Sequence, residues 1–209
     1  MDRQTFLTAV GQNAARITSY RDGGDGTDAS SDCIGLVIGA LKLLGEPWTG
    51  THGTNYTVRN ALAFGRDISA ASDLSPGDLV FKFREKGEDG YALPSRYHTH
   101  QDTRDYYHVG VVMQTSPLEI LHCSTGGMHR DQSLGAWRYA GHLPMLSDGV
   151  TALYTAIIKS ENGKGVNLRA APSLSADKLA VIPVGIQANV LEETDDTWLK
   201  VMAQGAPAT

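Results

Sequence analysis

Cysteine is scarce in this chain. There are two in 209 residues, Cys33 and Cys123, so no disulfide framework holds the fold and each thiol needs its own explanation. Long apolar runs are missing too. A spanning helix needs ~18 consecutive apolar residues, whereas the most apolar stretch, Ile34 to Leu41, is short and meets Lys42. The start, Met1-Asp2-Arg3-Gln4, lacks the basic and apolar regions of a secretory leader. The expectation is a chain that is cytoplasmic, leaves by another route, or has had its leader removed. Positive charge is not in excess: 18 Lys and Arg stand against 23 Asp and Glu, a net charge of −5. Nucleic acid is therefore not an expected partner. Heptads, low-complexity tracts and internal repeats are not visible. What remains is ordinary globular composition, 41% hydrophobic and 20% charged. The length suits one large domain or two smaller ones.

Along the chain, helices come first. Asp2 to about Ser19 carries Phe6, Val10 and Ile17 at near-helical spacing. A loop of Gly, Asp and Ser follows, from Arg21 to Ser31. A second helix is expected to start at Ser31 or Asp32, either of which caps free N–H groups, and to end at Leu44 before Gly45 and Pro47. A third is expected from about Tyr56 to Phe64. Strand patterns then take over at Leu79–Phe83, Tyr107–Gln114 and Leu118–Cys123, with turns at Leu74–Asp78 and Thr115–Pro117. Helices first and adjacent strands later argue for an α+β layer. Between the first two strands lie 23 polar, Tyr- and His-rich residues, Arg84 to Tyr106, a length typical of a functional rim or a mobile segment. Past Ser147-Asp148-Gly149 short β-like runs recur, at Leu153–Ile158, Gly165–Arg169, Lys178–Ile182, Ala188–Glu192 and Trp198–Met202. Those runs signal a small all-β barrel.

Cys33 falls in the first turn of the second expected helix, on a face with Val37, Ala40 and Leu44. The helix dipole and unpaired N–H groups there favour thiolate and could hold an oxyanion. Alone, this feature fits an inert buried thiol better. A nucleophile also needs a base. Of the seven histidines, only His108 and His122 lie inside clean strand patterns. With an odd-length turn between their strands they share one sheet face, and Gly110 leaves room beside His108. Cys123 then points to the opposite face, away from Cys33, as a packed core thiol. A coherent triad follows: Cys33 attacks, His108 takes the thiol proton and His122 orients the His108 ring. A thiolate–imidazolium pair with a bell-shaped pH profile is expected. His98-Thr99-His100 has no partner cluster for a metal, and neither metal nor cofactor is expected. Tyr91, Tyr97, Tyr106 and Tyr107 suit a carbohydrate platform or ordinary packing, and Trp48 and Trp137 suit core or rim packing.

The ordered set Tyr20-Arg21-Asp22-Gly23-Gly24, Ser31-Asp32-Cys33-Ile34-Gly35-Leu36-Val37, Leu74-Ser75-Pro76-Gly77-Asp78-Leu79-Val80-Phe81, Tyr107-His108-Val109-Gly110-Val111-Val112 and Ile120-Leu121-His122-Cys123-Ser124 resembles the NlpC family of papain-like cell-wall cysteine peptidases. The resemblance runs over roughly residues 15 to 125. It implies a papain-like, helix-packed antiparallel sheet and hydrolysis of peptidoglycan stem peptides, typically between γ-D-glutamate and the following diamino acid. It casts Cys33, His108 and His122 as catalytic, places Tyr20 near the oxyanion, and sets Asp32 to bind the substrate's free amine, a role compatible with N-capping. Many members carry Ser where this chain has Ile34. The segments Val166–Ser173, Ile182–Gly185 and Trp198–Val201 resemble a bacterial SH3-like domain, which implies docking on the bacterial cell wall. That family has another turn and strand after the Trp198 strand, so an incomplete barrel is expected.

The expected domains are a peptidase over 1–147, a linker over 148–154 and an SH3-like wall-binding domain over 155–209. An SH3-like tail without a visible leader suggests a phage or prophage lysin acting at the wall. The competing readings are an N-acetylmuramoyl-L-alanine amidase using the same triad, and a catalytically silent wall-binding module.

Overall fold

The computed structural model describes residues 1–146, 154–195 and 197–203. The chain divides into two compact units, Met1–Leu146 and Ser147–Thr209. Apart from Tyr154, the expected linker lies outside the described residues.

In the first unit Asp2 opens helix α1 (Arg3–Ala14) by accepting the Thr5 N–H at 2.9 Å, an N-cap bond. Phe6 and Val10 bury its inner face. The helix stops short of the expected Ser19 because tertiary pairing claims the next residues. Thr18 N–H donates to the Ala29 carbonyl, and β1 (Ser19–Tyr20) runs parallel to β2 (Ser30–Ser31). Asn13, nearly fully buried, holds this corner with its amide on the Leu36 carbonyl at 3.0 Å. Helix α2 (Gly35–Leu43) ends at Leu44, with Gly45 at φ 75° as the stop. Its regular turns begin later than expected, yet Asp32 still caps it, accepting the Gly35 N–H at 2.7 Å. Gly35 is required there: a Cβ would stand 1.7 Å from the Gly24 carbonyl oxygen. The Arg21–Ser31 loop thus lies backbone to backbone on the start of α2. The third expected helix is a short helical turn (Thr54–Tyr56) and a wide turn (Thr57–Ala61), after which Phe64 enters a strand.

A six-stranded antiparallel sheet follows: β3 (Phe64–Asp67), β4 (Leu79–Arg84), β5 (Asp105–Thr115), β6 (Leu118–Ser124), β7 (Gly127–Asp131) and β8 (Tyr139–His142), in the order β3-β8-β4-β5-β6-β7. Three of these strands, β3, β7 and β8, were not expected. Helices α1 and α2 cover one face, where Phe6, Val10, Val37 and Leu41 pack on Val109, Val111, Leu121 and Cys123. On the other face Val80, Val112, Ile120 and Ala140 lie under Trp137. Each such buried Val, Leu, Ile or Phe side chain is worth roughly 1.5–3 kcal/mol of transfer free energy, so both faces contribute to the core. This is the expected α+β layer, a helix-packed antiparallel sheet.

The β5–β6 hairpin decides where its histidines face. Thr115 pairs with Leu118 and Gln114 with Glu119, so Ser116 and Pro117 form a two-residue turn. That even turn would put His108 and His122 on opposite faces. The register shifts between Val112 and Gln114, however, and from there Val112 pairs with Ile120 and Val111 with Leu121. A bulge at Met113 supplies the odd residue that the turn lacks. Continued one step, the register sets His122 beside Gly110, on the face that carries His108.

The polar insertion is tied down. Tyr97 and Leu93 are buried, the Arg59 guanidinium donates to the Asp102 and Arg104 carbonyls, and Asp105 accepts from the Asn55 amide and the Ala92 N–H.

The second unit has a three-stranded sheet, β9 (Tyr154–Ile157), β12 (Gln187–Glu193) and β13 (Leu199–Ala203), and a hairpin of β10 (Val166–Arg169) and β11 (Lys178–Ile182). Leu168, Ile182 and Ala188 form its core. The five expected β-like runs coincide with these strands to within a residue at their described ends; Leu153, the start of the first run, lies outside the described residues.

Candidate active site

Cys33 sits in the turn between β2 and α2, partly exposed, against the helix-side core. The backbone N–H groups of Val109, Ile34 and its own residue favour its anion. The β5–β6 ladder ends at the Val111–Leu121 pair, and Val109, whose N–H acts on the thiol, lies two residues further along β5, next to His108. Burial nonetheless pushes the Cys33 thiol up to about 12, with the Asp32 carboxylate adding to it. This corrects the expectation of a resting thiolate, because desolvation and a neighbouring negative charge outweigh the N–H groups.

His108 and His122 come together as expected. Their rings meet edge to face, with His108 Nε2 2.9 Å from His122 Nδ1. The hydrogen bond His108 makes here is to His122, not to Cys33. Burial, with His122 and Lys82 adding, pushes His108 down to about 3. His122 is buried and is lowered as well, chiefly by burial and against the pull of Asp131. The resting site thus holds a neutral thiol and neutral imidazoles rather than the expected ion pair.

Trp137 walls the pair. Its indole stacks on His108 at 5.4 Å between centroids and 25° between planes. Gly110 makes that possible, since a Cβ there would stand 3.0 Å from the indole and 2.7 Å from Ile120. The indole N–H donates to Asp131 Oδ2 at 2.9 Å, and the same oxygen lies 3.4 Å from His122 Nε2 and 3.7 Å from Lys82 Nζ. The sequence pattern assigns no role to Asp131 or Lys82, and it places Trp137 in core or rim packing. Asp131 reaches His122 only through the β6–β7 register, in which it pairs with Ile120. No local pattern announces that contact.

Tyr20 ends β1 next to Ser31 in the ladder, and its hydroxyl donates to Asp22 at 3.0 Å. Burial, the Asp22 bond and the nearby Cys33 raise its pKa. Asp32 spends one oxygen on the Gly35 N–H, while the other accepts the Gly23 N–H at 2.8 Å and faces His52 Nε2 at 2.6 Å. His52 is a partner that sequence reading missed. Cys123 is a fully buried core thiol pointing away from the histidines, as expected. It does not point away from Cys33: its sulfur donates to the Ser31 carbonyl at 3.3 Å, inside the cluster Cys33 packs against. His98 and His100 serve their own loop, on the Leu93 carbonyl and the Asp102 N–H. Tyr97 and Tyr106 are buried as packing, and Tyr107 stays exposed.

Fold and site define an α+β unit whose antiparallel sheet presents a bonded histidine pair and whose second helix starts just after a thiol, followed by an all-β unit. Residues 164–206 match the family described as bacterial SH3 domain. Among solved structures, the chain is similar to NlpC2 from Trichomonas vaginalis, at 20% identity and TM-score 0.43, covering 66% of this chain and 46% of that one. It is likewise similar to NlpC1 from Trichomonas vaginalis, at 20% identity and TM-score 0.41, covering 66% and 42%. The chain thus spans less than half the length of either. No curated protein matches. No helix among the described residues is long and apolar enough to cross a membrane.

Proposed function

We propose that the first unit is a cysteine peptidase acting on peptidoglycan stem peptides, with Cys33 as nucleophile, His108 as general base and His122 as the residue that orients His108. We further propose that the peptidase spans 1–147, that 148–154 links it to an SH3-like domain over 155–209, and that this domain docks the enzyme on the bacterial cell wall. The observation that carries the reading is the 2.9 Å bond from His108 Nε2 to His122 Nδ1, which leaves the other ring nitrogen of His108 to serve as base; the Val109 N–H next to His108 is among the groups that favour the Cys33 anion.

In the reaction, Cys33 Sγ attacks the carbonyl carbon of the scissile amide as its proton moves to His108 Nδ1. The Cys33 and Ile34 N–H groups receive the oxyanion, joined by the Tyr20 hydroxyl as its proton turns from Asp22 to the new charge. The C–N bond then breaks, His108 returns the proton to the leaving amine, and a thioester remains on Cys33 until water hydrolyses it. Because thiol and imidazole are both neutral at rest, proton transfer accompanies attack rather than preceding it. Asp32 binds the ammonium of the stem peptide, sharing its outer oxygen with His52. The bond assigned lies between γ-D-glutamate and the diamino acid.

The test incubates wild type and Cys33→Ala with purified peptidoglycan and identifies products by mass spectrometry. Internal stem-peptide cleavage by wild type alone is the expected result. Free lactyl ends with whole stem peptides would instead make the protein an amidase. Equal binding without products from either protein would make it a silent wall-binding module.

A further inference from the structure

Beyond the three residues above, His122 Nε2 is a buried ring nitrogen without a hydrogen bond of good geometry, and it faces Asp131 Oδ2 at 3.4 Å. We propose that Asp131 is a positioning residue that fixes the proton positions of both imidazoles and so keeps His108 Nδ1 free to accept a proton. This inference rests on the peptidase reading and adds a residue to its site.

A carboxylate oxygen only accepts hydrogen bonds. The ring nitrogen that faces it therefore carries the proton, and neutral His122 is the Nε2–H tautomer. Its Nδ1 is then bare and accepts. The 2.9 Å contact to His108 Nε2 must be donated by His108, so neutral His108 holds its single proton on Nε2. Two tautomers follow in sequence from one carboxylate. Asp131 is itself held in place. Burial works against its charge, but the Trp137 N–H bond, His122 and Lys82 hold its carboxyl below the usual range, so it is ionised at neutral pH. Lys82 also faces this carboxylate, and the ring of His129 stacks on His122. The His122–Asp131 contact is long at rest, as catalytic hydrogen bonds often are before substrate binds. Positive charge on His108 strengthens it, because a stronger bond donated into His122 Nδ1 polarises the ring and makes Nε2–H a better donor.

The test is ring-nitrogen NMR of the full chain with 15N-labelled histidine near pH 7, alongside kinetics on a soluble stem peptide. Wild type is expected to show both His122 and His108 as Nε2–H tautomers. A wild-type His122 with its proton on Nδ1 overturns the proposal without any variant. In Asp131→Ala, His122 should lose its fixed tautomer and kcat should fall about 10- to 100-fold, as losses of an orienting partner do, with KM within about twofold. An asparagine side chain still offers an accepting amide oxygen, so Asp131→Asn should keep the wild-type tautomers and most of kcat. If Asp131→Ala fails to fold, Asp131→Asn and wild type decide. An unchanged His122 tautomer with unchanged kcat in Asp131→Ala overturns the proposal, as does a scrambled tautomer in Asp131→Asn. Failure of the peptidase reading looks different: wild type would give no internal stem-peptide cleavage, while its His122 and His108 tautomers stay as assigned.

Discussion

At the scale of single residues, Cys33 is governed by two opposed influences. Backbone N–H groups favour its anion, while burial and Asp32 oppose it and prevail, leaving the thiol at about 12. Alkylation of Cys33 by iodoacetamide should therefore keep rising with pH through pH 9 and show no plateau near neutrality, read by peptide mapping to separate it from Cys123. Asp32→Asn removes the neighbouring charge but retains a good helix cap. It should lower the thiol pKa and speed alkylation at pH 8 by about 3- to 10-fold, the effect of half to one pKa unit. His108 carries the complementary expectation. Since it is pushed down to about 3, the acid limb of kcat/KM should lie well below the ordinary histidine range near 6.5. His122→Gln removes a neighbour that is charged only in acid, where its charge opposes protonation of His108, and should move that limb upward. An acid limb at 6.5 in wild type would remove His108 as the buried base described here.

At the scale of elements, the site depends on two close approaches that only glycine permits, at Gly110 beside Trp137 and at Gly35. Gly35 lets the Arg21–Ser31 loop lie on α2, and a Cβ there would meet the Gly24 carbonyl at 1.7 Å. Gly35→Ala should destabilise the first unit by about 1–3 kcal/mol, as overpacking does, seen as a lower Tm. The damage should extend to the turn that places Cys33. These contacts also show why the sequence was legible in some places and not in others. The hydrophobic patterns of Leu79–Phe83 and Leu118–Cys123 mark strands because alternation and β-branched residues are local signals. The Asp32 cap and the core role of Cys123 were legible for the same reason. The end of α1 was not, because Ser19 and Tyr20 are taken into a ladder with residues eleven positions later. Parity between His108 and His122 came out as expected by a different route, since the turn is even and the Met113 bulge corrects it. Bulges arise from strand twist and pairing and leave little trace in composition. Asp131 and His52 were missed because each meets its partner only after strands or loops have assembled.

At the scale of the whole molecule, pH acts on folding through the same buried rings. An unfolded chain takes up protons on His108 near pH 6.5, whereas the folded chain resists until about 3. Between those values the unfolded state binds more protons, so stability falls as pH drops through that window. Asp25, held at about 2 by bonds from Lys42 and Thr27 that overcome its burial, adds a loss that begins only below its ordinary value near 3.9. The two contributions are therefore separable. Urea unfolding of the first unit, followed by Trp137 fluorescence, should show midpoints that fall from pH 7 to pH 5, before the carboxylates titrate. His108→Asn should flatten that part of the profile. A wild-type midpoint unchanged between pH 7 and pH 5 would mean that the imidazoles are free to charge in the folded protein, and the neutral resting site would be lost with it.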